Sequence, residues 1–132
     1  MPDMANVTVK KNDGTTDQIY TKVQSSAGDR SPAVWQNLSV GSAAGHHPEF
    51  RVSSRANGTG SARRVDMTGV WKSLVTDANG KVSVADIMTF TASFGKPLGM
   101  PDVEVNEGAS QLCNLMAATL TKDQVKSGYA AT

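Results

Sequence analysis

Up to Phe94 the chain alternates apolar and polar residues in steps of two, the period of strands whose side chains point in turn to either face of a sheet. Residues 5–11 set Val7 and Val9 against Asn6, Thr8 and Lys10. Asn12-Asp13-Gly14 is a turn signal, and 16–24 resume an extended pattern around Ile19, Thr21 and Val23. An N-terminal β-hairpin over 1–24 is expected. Residues 25–32, with Gly28 and Pro32, read as a loop, and 33–40 as a third strand with Trp35 as its large packing residue. Residues 41–48, GSAAGHHP, form a second loop.

The stretch 49–68, EFRVSSRANGTGSARRVDMT, organises the rest. Its first arm places Phe50, Val52 and Ser54 on one face and Arg51, Ser53 and Arg55 on the other. Asn57-Gly58 supplies the positive backbone angles of a tight reversal, with Thr59-Gly60 behind it. The return arm sets Val65 and Met67 against Arg64, Asp66 and Thr68, and runs on through Trp71 to Leu74. Residues 75–81 read as a longer surface loop around a second Asn-Gly. The last strand, 82–94, carries Val84, Asp86, Met88, Phe90, Ala92 and Phe94 on one face. Ser83, Ala85, Ile87, Thr89, Thr91 and Ser93 take the other.

Gly95, Pro97, Gly99 and Pro101 end the sheet. Asn106 or Asp102 is placed to cap a helix, with Glu104 or Glu107 near its positive end. Ala109, Leu112, Cys113, Met116 and Leu120 then fall on one helical face, and a second short helix is expected over 122–129. The fold class is thus α+β: an N-terminal hairpin plus about five strands in an antiparallel sheet, then one or two helices, all in a single domain. Within it, 1–24 form the hairpin, 33–94 the main sheet and 102–129 the helical segment. One helix of four turns is only about 22 Å long and cannot cover such a sheet. The simplest source of the missing cover is a second copy, whose helix would bury Phe50, Val52, Val65, Met67, Phe90 and Phe94. The basic face would stay open.

Composition narrows the chemistry. The net charge of +1 excludes a chain that is basic all over, so any nucleic-acid contact rests on the local cluster Arg51, Arg55, Arg63 and Arg64. Guanidinium and hydroxyl groups at alternate strand positions can hold a phosphate backbone. Cys113 is the single cysteine, so no intramolecular disulfide forms; on an apolar helical face it reads as a buried small hydrophobe. His46 and His47 are adjacent, point to opposite sides of an extended segment and have no third histidine to complete a metal site. Met67, Met88 and Met116 read as core filler. No cofactor is expected, and nothing approaches a membrane span or a secretion signal, so a soluble protein made inside the cell is the expectation.

The whole pattern resembles the coat proteins of single-stranded RNA bacteriophages, the levivirus type. The likeness rests on chain length, the N-terminal hairpin, FRVSSRANGTGSARRVDMTGVWKSL, the loop VTDANGKV, the strand MTFTASF and the helical segment SQLCNLMAATL. The resemblance implies an obligate homodimer with interlocked C-terminal helices. It also implies an icosahedral shell around genomic RNA, assembled in the bacterial cytoplasm and carried in the virion. In well-known members the inward sheet face grips an RNA hairpin at the replicase start and represses translation. Ser53 and Arg55 match the family's hydroxyl and arginine positions, with Arg51 beside them; Arg63 or Arg64 and Thr68 correspond on the return arm, and Thr89 and Thr91 join by parity. Leu112, Cys113, Met116 and Leu120 would form the dimer interface. Thr76, Asp77, Asn79 and Gly80 would lie in the loop around the symmetry axes. No tyrosine near 84–86 matches the one that stacks on a loop base in some members.

Other functions are weighed beside this one. The arginines could mark a solvated strand face. A shell subunit could package nucleic acid through averaged electrostatics alone, and a non-viral dimeric nucleic-acid-binding sheet module is the alternative to a coat. An enzyme is disfavoured by the lack of Cys/His or Ser/His pairing and of a glycine-rich phosphate loop. Asp66 and Asp86 could meet across strands, but one carboxylate pair is a weak signal.

Overall fold

The structure, a computed structural model, describes residues 2–132. The chain folds as two compact units, one ending at Gly95 and the other spanning Lys96–Thr132. Among the described residues six strands form one sheet in sequence order: β1 (Val7–Lys10), β2 (Asp17–Gln24), β3 (Ala33–Gln36), β4 (Glu49–Ala56), β5 (Ala62–Thr76) and β6 (Val82–Pro97), the last ending two residues past the first unit. The pairs from β1 through β5 are antiparallel. The second unit holds two helices, α1 (Asp102–Ala117) and α2 (Thr119–Ser127). The expected α+β class and element order are therefore the observed ones.

Three connections use one device. At each, a glycine of positive φ donates its N–H to the carbonyl three residues back: Gly14 to Lys11, Gly60 to Asn57 and Gly80 to Asp77. Asn-Gly is not the reversal itself at the central hairpin. Gly60 (φ 70°), not Gly58, takes the left-handed conformation, while the Asn57 Oδ1 accepts the Ala62 N–H at 3.2 Å. A carboxylate does this work in the other two loops. Asp13 Oδ1 accepts the N–H groups of Thr15 and Thr16, each at 2.9 Å. Asp77 Oδ1 accepts those of Asn79 at 2.9 Å and Lys81 at 2.8 Å. The β5–β6 loop is shorter than expected, because Val75 and Thr76 still belong to β5.

Register decides the faces. Lys22 pairs with Trp35, Trp35 with Phe50 and Phe50 with Gly69. A Cβ on Gly69 would sit 3.5 Å from Phe90, so this row continues onto β6. Trp35 and Phe50 are tilted rings with centroids 5.8 Å apart, and the Trp35 indole N–H bonds the Ala5 carbonyl at 2.8 Å. Val52, Val65 and Met67 share this apolar face. Much of it is open in the single chain, with Trp71 at 44% and Phe90 at 43% exposure. Val34 is the one buried hydrophobic residue among the described residues. Met88 and Met116, expected as core, are exposed.

Elsewhere the third strand ends at Gln36, four residues early, because Asn37 turns inward. Its side chain is buried, and Oδ1 accepts from Gln18 Nε2, Ser39 N and Ser39 Oγ. The loop 41–48 contains a single 3₁₀ turn, Ala44–His46. His47 is buried and donates Nδ1–H to the Val40 carbonyl at 2.9 Å. Among the described residues no group of three His, Cys, Asp or Glu side chains is placed to hold a metal ion.

The helical segment breaks earlier than its apolar spacing suggests. Pro101, not Asp102 or Asn106, precedes the first turn, and its carbonyl accepts the Val105 N–H at 3.0 Å. Asp102 and Glu104 lie in that turn, where the helix dipole favours negative charge. Ala118 adopts an extended conformation (ψ 147°) between α1 and α2. Leu112, Cys113 and Met116 therefore share α1, whereas Leu120 belongs to α2. Gly128 (φ 80°) closes α2 by donating to the Gln124 carbonyl at 2.9 Å. Cys113, expected to be buried, is exposed in the chain. No helix among the described residues is long and apolar enough to cross a membrane.

Candidate nucleic-acid interface

The face opposite the aromatic row gathers the polar residues of the central hairpin. Arg51 pairs with Thr68, Ser53 with Asp66 and Arg55 with Arg64, and paired residues point the same way. These side chains form one patch because β4 and β5 are in register without a bulge across 49–56. Ser93 brings β6 into the patch, since its Oγ–H donates to Asp66 Oδ1 at 2.8 Å and it accepts from Arg64 Nε at 2.9 Å. Thr89 and Thr91 share the parity of Ser93 and so the same face.

Arg63 is elsewhere. It pairs with Ala56 on the apolar side, where its guanidinium forks onto Asp29, Nη1 to Oδ2 at 3.0 Å and Nη2 to Oδ1 at 2.6 Å. That hold keeps the Asp29 carboxyl below its ordinary pKa. The pair ties the 25–32 loop to the sheet, and the Arg30 N–H bonds the Ser54 carbonyl at 2.8 Å beside it. Asp66 and Asp86 do not meet, because they lie on opposite faces.

Two carboxylates temper the patch. Glu49 pairs with Arg51 and also accepts from Gln36 Nε2 at 3.2 Å. Burial alone would raise its pKa, but the bonds from Arg51 and Gln36 outweigh it and the net shift is downward. Asp66 is held below the carboxylate range first by the Ser93 hydroxyl and then by Arg64. Glu49, Arg51, Thr68, Val70 and Lys72 line a shallow depression of about 410 Å³ at one end of the patch. The Lys72 ammonium donates to the Gly45 carbonyl at 2.7 Å, drawing the 41–48 loop to this edge. Glu49 and Lys72 escaped the reading of the sequence, although each continues the two-residue step of its strand. What the patch offers is guanidinium, ammonium and hydroxyl groups on a flat surface, suited to phosphodiester contacts.

No protein-family model and no curated protein matches the sequence. Solved structures match the fold from end to end. The virus-like particle of Beihai levi-like virus 21 aligns over 99% of this chain and 99% of its own at a TM-score of 0.80 and 19% identity. The chain has a bacteriophage coat-protein fold. The particle of bacteriophage NT-214 agrees over 99% of this chain and 100% of its own, with a TM-score of 0.79 at 16% identity. The capsid protein of bacteriophage GA covers 95% of each chain at 0.73 and 17% identity. This coat-protein fold places Arg51, Ser53, Arg55, Arg64, Thr68, Thr89 and Thr91 on one sheet face. It leaves Leu112 (50%) and Leu120 (63%) exposed in the single chain.

Proposed function

We propose that this chain is the coat protein of a single-stranded RNA bacteriophage, a structural and non-catalytic subunit. The observation that carries this reading is the end-to-end likeness to subunits of virus-like particles, with neither chain having a substantial part left over. Two copies pair as an obligate dimer, each supplying Leu112, Cys113, Met116 and Leu120 to cover apolar surface that the single chain leaves exposed, Phe90 and Trp71 among it. Dimers close into an icosahedral shell in the bacterial cytoplasm, and the β5–β6 connection lies around the symmetry axes, with Thr76 at the end of β5 and Asp77, Asn79 and Gly80 in the loop itself. The basic face looks inward and binds the genome through Arg51, Ser53, Arg55, Arg64, Thr68, Thr89 and Thr91, with an RNA hairpin as its repressor target. Arg63 is left out of this set, since Asp29 already holds both arms of its fork.

Electron microscopy of the purified recombinant protein, with ultraviolet absorbance of the same fraction, tests the assembly. Uniform spheres that absorb as nucleic acid are expected; a small nucleic-acid-free species would move the reading to a non-viral binding module. Arg55→Ala tests the face. It should weaken RNA binding while leaving the dimer intact, and a lost dimer would mean that β4 is turned the other way.

A further inference from the structure

Among the described residues, Asp66 is the one carboxylate that reaches arginines on both strands of the central hairpin. Arg64 Nε lies 2.9 Å from its Oδ1 and Arg55 Nε 3.5 Å from its Oδ2. Arg55 and Arg64 are register partners, so without an anion between them two like charges would stand directly opposite and repel. The Ser93 hydroxyl steadies the carboxylate from β6. Both arginines are engaged through Nε. Among the described residues no hydrogen bond is made by the Nη atoms of either one, whereas the Nη atoms of Arg63 are both used.

We propose that Asp66 is a built-in counter-anion that sets the selectivity of the basic face: it holds Arg55 and Arg64 side by side by their inner edges and cancels one of their charges. The outer edges stay available to a phosphate, but the general pull on any polyanion is reduced. Binding then depends on an RNA whose phosphates and bases fit the hydroxyls of Ser53, Thr68, Thr89 and Thr91. The inference rests on the nucleic-acid reading above and names what restrains it.

The test compares wild-type protein with Asp66→Asn, which keeps an oxygen acceptor but removes the charge, and with Asp66→Ser as a second neutral variant. The probes are a single-stranded oligouridylate and inorganic polyphosphate, titrated over a range of salt, with circular dichroism to verify folding. Both neutral variants should bind both probes at least about threefold more tightly. Their plots of log affinity against log salt should steepen by about 0.7 for each further phosphate engaged. Arg64→Gln should cost more binding in the Asp66→Asn background than in wild type, the coupling a double-mutant cycle isolates. Unchanged affinity and slope in folded neutral variants, with wild-type binding still dependent on Arg55, would overturn the role of Asp66 alone. Failure of the wild type and of both folded neutral variants alike to bind either probe at low salt would overturn the nucleic-acid reading itself.

Discussion

Asp13 shows how much one exposed side chain can organise. Thr16 donates to its carboxylate through both hydroxyl and backbone, Thr15 adds its own N–H, and together they lower the pKa from 3.8 to about 2. The folded value is depressed, so the carboxylate's contribution is fully present above pH 3.8 and fades as pH falls toward 2. An NMR titration of the Asp13 carboxyl should have its midpoint near 2; a midpoint near 3.8 would show the loop bonds to be absent in solution. Gly41 is constrained twice over. Its φ is 76°, and a Cβ there would sit 2.7 Å from the Cβ of His46. Gly41→Ala should therefore lower stability by about 1–3 kcal/mol, read as a lower denaturant midpoint at unchanged slope. An unchanged midpoint would mean that the 41–48 loop relaxes freely.

At the scale of elements, the long β4–β5 hairpin and α1 carry opposite burdens. The hairpin was legible because its two-residue step persists on both arms and its turn is rich in Gly, Asn and Ser. Which turn residue takes positive φ was not legible, since Gly58 and Gly60 differ only in how the flanking strands close. In the helical segment the spacing of Leu112, Cys113 and Met116 announced α1, whereas the break at Ala118 has no sequence marker. Because Leu112 is 50% exposed in the single chain, Leu112→Asp should hardly disturb the helix itself. It should abolish the soluble dimer, since a partner would bury that charge. Sedimentation velocity decides it: a variant that remains dimeric would remove α1 from the interface.

At the scale of the whole molecule, the proposed function rests on a sheet with two unlike faces. The apolar face is largely open in the single chain, and the other pairs its cations with Glu49 and Asp66 while keeping hydroxyls beside them. A face held together by charge should let go in salt. RNA bound to the assembled protein should weaken by orders of magnitude between low and moderate salt, in proportion to the phosphates neutralised. Filter binding across a salt series measures this, and a flat response would point to base stacking or trapped geometry instead.

By itself the sequence determined the strand order, the helices at the C-terminal end and the division of β4, β5 and β6 into two faces. These follow from side-chain period and turn chemistry, both local along the chain. Only tertiary structure decided which polar residues become neighbours. Arg63 and Arg64 are adjacent in sequence, yet one is tied to Asp29 and the other to Asp66 and Ser93. Successive strand residues point to opposite faces, and the partner each meets is set by register across strands rather than by distance along the chain. The reach of Asp66 across to Arg55, and the β6 serine that steadies it, depend on the alignment of three strands.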